Sequence, residues 1–178
     1  LSRYQLDITL IEKENDVATG GPRKANTALI HAGFNADADK LKGKLNVKGN
    51  KMYDQIAEDL SVPFERRGAM VVAHNRDEIS KLEDILENGK KNGVPELEIV
   101  KGDRLFELEP NLNSEAIAAL YAPTAGIICP YELTVALAEN AAENGVDVLL
   151  ETKVIDINLE EDYKIVKTNR GDIKAEVV

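Results

Sequence analysis

The 178-residue chain carries one cysteine, Cys129. It has no intrachain disulfide partner, which fits a reducing compartment, and its apolar neighbours Ile127, Ile128 and Pro130 predict a buried, unreactive thiol. There are only two histidines, His31 and His74, so no metal site is expected. The glycine-rich dinucleotide fingerprint, the P-loop, CxxC and HExxH are all missing. Lys/Arg never cluster densely: Lys40, Lys42, Lys44, Lys48 and Lys51 are spaced like the solvated side of a loop and helix. With a net charge of -10, that excludes nucleic acid as an expected partner and opposes nonspecific binding to an anionic membrane surface. No apolar run approaches the roughly 20 residues of a membrane span. The opening residues do not read as a signal peptide; Leu1 to Tyr4 look like the cut end of a helix.

What is present begins with Gln5 to Asn15. Leu6, Ile8, Leu10 and Ile11 form the apolar core of a predicted strand, followed directly by Glu12, Lys13 and Glu14. Apolar strands ending in a carboxylate occur in dinucleotide-binding folds, where the acid accepts hydrogen bonds from the ribose hydroxyls. Such a strand normally follows a glycine-rich turn by about 20 residues. Only eleven residues precede Glu12 and none is glycine. The strand is either ordinary or the second strand of a unit whose first half is missing, and the second reading is preferred.

A loop of small residues follows, through Gly20, Gly21 and Pro22 to Thr27. Lys24, Asn26, Thr27 and the local backbone amides would line an anion or cofactor pocket, or simply form a polar loop before a short buried segment. Met52, Ile56 and Leu60 mark one helix face, and Val62-Pro63 ends that helix. Phe64 to Ala73 reads as one strand. Asn75 opens a helix to about Lys91 with Ile79, Leu82, Ile85 and Leu86 as its stripe, closed by Asn92-Gly93. Short strands are predicted at Leu97 to Val100, Ala116 to Tyr121 and Gly126 to Cys129, with a helical turn near Leu105. Pro130 introduces a helix over Tyr131 to Asn144. Strands at Val146 to Leu150, Thr152 to Ile157, Tyr163 to Thr168 and Ile173 to Val178 complete a β-meander whose last turn is Asn169 to Asp172. The strand pattern still running at Val178 makes both ends look cut. The fold class is α/β with an inserted α+β portion.

For His31, the neighbouring Ala32 and Gly33 would let a large planar ligand approach closely; a satisfied core histidine fits the same pattern. His74 falls at a strand-to-helix turn, and no acid pair has a spacing that indicates general acid/base work.

Three stretches together resemble the flavin-dependent D-amino-acid-oxidase superfamily, nearest its glycerol-3-phosphate dehydrogenase and L-2-hydroxyglutarate oxidase branch. Ile8 to Glu14 is similar to the family's second Rossmann strand. Lys24 to Gly33 looks like the loop and helix under the flavin. Tyr121 to Ile157 resembles the return from the substrate domain to the strand flanking the adenine. The resemblance implies a partial Rossmann-like FAD-binding domain over 1–60, a substrate-domain portion over 61–128 and a return to the FAD-binding domain over 129–178. It implies that Glu12, beside Lys13, holds the adenosine ribose and that Lys24, Ala25, Asn26 and Thr27 lie along the pyrophosphate and flavin. Val154 would meet adenine through its backbone, and His31 would sit near the isoalloxazine as the catalytic candidate.

The implied reaction is hydride transfer from a secondary alcohol to FAD, with a small-molecule substrate. With glycerol 3-phosphate as the first substrate reading, an L-2-hydroxyacid (2-hydroxyglutarate-type) or amino-acid oxidase of the same superfamily and a noncatalytic interaction domain are the competing readings. A quinone or partner subunit as electron acceptor is compatible with the branch, and with it a cytoplasmic protein peripheral to the inner membrane surface. Gly20 to Arg23 departs from the small-hydroxyl stretch usual in this branch, and the glycine-rich turn is absent. The chain by itself is therefore expected to bind FAD weakly or not at all.

Overall fold

The computed structural model describes residues 4–20 and 26–178. The chain divides into two compact units, Leu1–Thr27 with Pro130–Val178, and Ala28–Cys129. Residues 28–60 thus pack with 61–129. The mixture of helices and parallel and antiparallel strands is α/β in class, as the sequence predicts.

In the first unit, β1 (Thr9–Ile11) lies parallel to β8 (Asp147–Leu149), with Leu10 opposite Val148. Parallel neighbours need a crossover. Here the second unit and α5 (Pro130–Glu143) together separate the two strands in sequence. Pro130 occupies the first helical position, where its missing N–H costs nothing. β1 is shorter than its apolar pattern suggests, and Leu6 and Leu10 are exposed; among the described residues this sheet has two strands. β9 (Val154–Leu159), β10 (Lys164–Thr168) and β11 (Gly171–Ala175) form an antiparallel meander of three strands, not the expected four, because β8 pairs with β1 instead. Its closing hairpin pairs Thr168 with Gly171, and the register shifts at Lys167/Thr168 on the β9 side.

The second unit contains two antiparallel three-stranded sheets. One has the order β2-β7-β3, from Leu29–Ile30, Gly126–Ile128 and Phe64–Arg66. The other has the order β4-β6-β5, from Ala69–Ala73, Ala118–Ala122 and Glu98–Lys101. Residues 64–73, predicted as a single strand, break at Gly68 and pass from one sheet to the other. Gly68 has φ +74°, and a Cβ there would lie 2.7 Å from the Tyr121 ring. The Leu29–Ile30 strand also corrects the expected helix in the Lys24 to Gly33 stretch. Pairing with Ile127 and Gly126 holds this backbone extended, and Ala28 just before it has φ +63°.

Strand β6 organises the core through its alternation. Ala118, Leu120 and Ala122 face a cluster with Phe34, Val47, Leu82 and Leu97, while Ala119 joins Val100, Leu105 and Ala116 in a second cluster. Helix α3 (Arg76–Lys91) has the predicted stripe: Leu82 is buried, and Ile79, Ile85 and Leu86 pack against the first cluster. Asn75 caps it by accepting from Glu78 N–H at 3.0 Å, and Glu78 in turn accepts from His74 N–H at 2.7 Å. That backbone bond is the main reason the Glu78 carboxyl titrates below its ordinary range. Helix α4 (Asp103–Leu108) brings Leu105 into the second cluster.

The helical stretch before Pro63 is two helices, α1 (Leu41–Asn50) and α2 (Tyr53–Asp59). α1 buries Gly43, Val47 and Asn50, and α2 buries Ala57. Met52 lies in the break between them, which explains why it is exposed rather than on a buried face. Among the described residues, no helix is long and apolar enough to cross a membrane.

Candidate functional site

Glu12 follows β1 directly, at its carboxyl end. Its N–H donates to Leu149 C=O and its C=O accepts from Thr152 N–H, both at 2.9 Å. Its side chain folds back so that Oε1 accepts from Glu14 N–H at 3.0 Å. The carboxylate is therefore held in place by its own turn and half-buried. Lys13 extends outward, with its ammonium 3.6 Å from Glu14.

The same corner receives the β8-to-β9 connection. Thr152 is buried, and its Oγ1 donates to Leu150 C=O at 2.9 Å. Asn169, in the hairpin turn, accepts from Lys153 N–H at 2.6 Å and donates to Glu151 C=O at 3.1 Å. Val154, two residues beyond Thr152, opens β9 with its side chain partly exposed. The structure thus bonds the Glu12 backbone to Thr152, two residues before Val154. Thr152 and Asn169, which fasten this corner, were not singled out from the sequence; the Asn169 turn was visible, but its backbone partners were not.

Asn26 and Thr27 are exposed. Lys24 and Ala25 lie outside the described residues. Cys129 is half-buried rather than buried, because it sits just past the end of β7.

His31 belongs to the second unit and its side chain is exposed, which removes the core-histidine reading. The backbone around it is tightly held. Ala32 and Phe34 are buried in the main cluster. Gly33, between them, has φ +108°, and a Cβ there would stand 2.6 Å from Val47 Cγ2. Two carboxamides near the carboxyl end of α3 pin the following loop. Asn88 Nδ2 donates to Phe34 C=O at 2.7 Å and Ala36 C=O at 2.9 Å, and Asn88 Oδ1 accepts from Ala38 N–H at 3.3 Å. Asn92 Nδ2 donates to Gly33 C=O at 2.9 Å and Ala36 C=O at 2.6 Å.

A third carboxamide works from the other side. Asn50 is buried at the end of α1, and its Nδ2 donates to His31 C=O and Thr124 C=O, each at 3.0 Å. Arg66 completes the arrangement. Its guanidinium donates to Asn50 Oδ1 and Asn50 C=O at 3.0 Å each, to Thr124 C=O, and to both Asp54 carboxylate oxygens. It also stacks on Phe64, 4.7 Å from the ring centroid. The hydrogen bond from Arg66 is the chief reason Asp54 titrates below its ordinary value. None of this network was foreseen from the sequence. Its polar residues lie far apart in the chain and their partners are mostly backbone carbonyls.

His31, Gly33, Phe34, Asn35, Ala36, Lys42 and Asn46 line a concave pocket of about 270 Å³. An exposed imidazole on a fixed loop beside such a pocket can exchange a proton with a small bound molecule. Among the described residues, no group of three His, Cys, Asp or Glu is placed to hold a metal ion.

The chain is 49% identical over 179 residues to a glycerol 3-phosphate dehydrogenase of Caloramator mitchellensis, covering 100% of this chain and 37% of that one. It is 32% identical to the mitochondrial L-2-hydroxyglutarate dehydrogenase of Dictyostelium discoideum, over 84% of this chain and 34% of that one. The structure superposes on dithionite-reduced, FAD-bound L-α-glycerophosphate oxidase of Mycoplasma pneumoniae with a TM-score of 0.86 at 28% identity, over 94% of this chain and 44% of that one. The chain thus spans less than half the length of these relatives. All of residues 1–178 match the FAD dependent oxidoreductase family, and the chain belongs to it.

Proposed function

We propose that this chain forms part of an FAD-dependent dehydrogenase that oxidises the secondary alcohol of glycerol 3-phosphate. The observation that carries this reading is the 49% identity to a glycerol 3-phosphate dehydrogenase across the whole chain.

The first unit supplies cofactor contacts. Its residues fit the adenosine end of FAD: Glu12 sits where a parallel strand ends, with its carboxylate already oriented by Glu14 N–H. Val154 offers its backbone, Lys13 flanks Glu12, and Lys24, Ala25, Asn26 and Thr27 are assigned to the pyrophosphate and flavin. Bound FAD supplies the hydride acceptor. His31 is the residue assigned to the substrate. Oxidation of an alcohol to a ketone releases a proton from oxygen as hydride leaves carbon, and an imidazole nitrogen of His31 takes that proton. The Asn50, Asn88 and Asn92 contacts hold the loop so that little reorganisation is needed. Reoxidation falls to a quinone or partner subunit outside this chain, which would place the protein at the inner membrane surface.

The likeness to L-2-hydroxyglutarate dehydrogenase favours a second reading, a 2-hydroxy acid as the alcohol, with the same roles for these residues. Anaerobic flavin bleaching in the full-length protein separates the two. Reduction by glycerol 3-phosphate and not by 2-hydroxyglutarate supports the first reading, and the reverse supports the second. A full-length protein that retains no flavin would end both.

A further inference from the structure

The residues lining the His31 pocket have an unusual charge balance for this chain. They include Lys42 and His31, two carboxamides at Asn35 and Asn46, and no carboxylate, in a protein of net charge -10. Lys42 and Asn46 are one turn apart, so they share a face of α1. That helix turns Gly43, Val47 and Asn50 into the unit. Among the described residues, Lys42 has no carboxylate within 4 Å, whereas Lys40 pairs with Asp37 at 3.8 Å. A lysine without an acid, beside two amides, suits an anion better than a cation. The pocket also has a preformed wall, because Gly33 and the pins from Asn88 and Asn92 hold the 33–36 loop. At about 270 Å³ it fits a molecule of a few carbons rather than a large one.

We infer that this pocket receives the phosphate end of the substrate, with Lys42 as its charged anchor and Asn35 and Asn46 as the flanking polar groups. The inference rests on the alcohol-oxidation reading above and adds to it the residue that selects an anionic alcohol over a neutral one.

The test uses the full-length protein. Amide and lysine side-chain NMR signals are followed during titration with inorganic phosphate, glycerol 3-phosphate, 2-hydroxyglutarate and glycerol. Wild type is compared with Lys42→Met and with Lys40→Met as a control for general charge. Both phosphates are expected to shift Gly33, Asn35 and Lys42 saturably and glycerol to leave them unmoved. Lys42→Met should weaken phosphate binding about tenfold, the scale of one charge-assisted contact, and Lys40→Met should not. Unsaturable shifts, equal affinity in Lys42→Met, or equal loss in Lys40→Met would overturn the inference. Tighter Lys42-dependent binding of 2-hydroxyglutarate than of glycerol 3-phosphate would overturn the phosphate assignment. If phosphate binds through Lys42 but glycerol 3-phosphate never reduces the flavin of the full-length protein, the site stands and the substrate reading falls.

Discussion

The carboxamide of Asn50 donates to the carbonyl of His31 across 3.0 Å, tying the end of one helix to the loop that displays the imidazole. Replacing Asn50 with leucine keeps the branched shape and removes every side-chain polar contact. It strands the His31 carbonyl, takes one of two donors from the Thr124 carbonyl and removes one Arg66 acceptor, while the Arg66 bond to the residue-50 backbone carbonyl remains. The expected loss is about 3 kcal/mol of stability in urea unfolding, with shifted amide signals at residues 31–33. A variant as stable as wild type, with those signals unmoved, would show that the bond holds nothing in place.

Asp54 gives this network a pH signature. Its pKa is lowered from the ordinary 3.8, first by the Arg66 hydrogen bond. A carboxyl with a depressed folded-state pKa contributes stability that is complete above its unfolded value and lost as pH falls through the folded one. The stability gap between wild type and Asp54→Asn should therefore be constant above about pH 4–5 and shrink at more acid pH. Because the Asp54 side chain is 62% exposed, the gap should also be small and salt-sensitive. A gap that widened on acidification would contradict this assignment.

Gly33→Ala combines an unfavourable positive φ with a Cβ pressed against Val47. Strain and overpacking together predict a loss of about 2–4 kcal/mol, read as a lower midpoint in thermal unfolding. A midpoint equal to wild type would mean that the loop can relax.

Leu120 is 0% exposed at the centre of β6, so Leu120→Ala should cost about 3–5 kcal/mol. Ile127→Ala on β7, where the residue is 44% exposed, should cost only about 1 kcal/mol. Equal effects would mean that the core is not centred on β6.

Glu12→Ala should weaken FAD binding to the full-length protein about tenfold or more, since the ribose bonds assigned to its carboxylate are charge-assisted. Val154→Ala should have little effect, because only backbone is invoked there. Flavin affinity insensitive to Glu12 would remove the ribose assignment.

Sequence alone was most informative where structure is local. Helix α3 was legible because its apolar stripe, its Asn75 cap and its Asn92-Gly93 stop all fall within one window. α5 and the hairpin around Asn169 were legible for the same reason. Strand β2 was not: two residues become a strand only through β7, almost 100 positions away. The break at Gly68 and the exposure of Met52 likewise depend on neighbours that periodicity does not see. Glu12 and His31 could be named as candidates, but not the contacts that hold their backbone. Asn50 reaches carbonyls 19 and 74 residues away, and an asparagine that binds distant backbone looks in sequence like one that faces water.

The second unit begins and ends at one place: Ile128 N–H donates to Ala28 C=O at 3.0 Å, and β2 lies against β7 just inside that bond. For the strands on either side, about 100 residues of chain therefore act as a short tether once this unit has folded. Joining β1 to β8 then carries the entropy of closing a small loop instead of a very large one. Folding should proceed from the inserted unit outward, so damage to β6 would be felt as failure of a distant parallel pair to form. The same closed junction makes the unit exchangeable as a block, since a replacement need only bring its two ends together at this point.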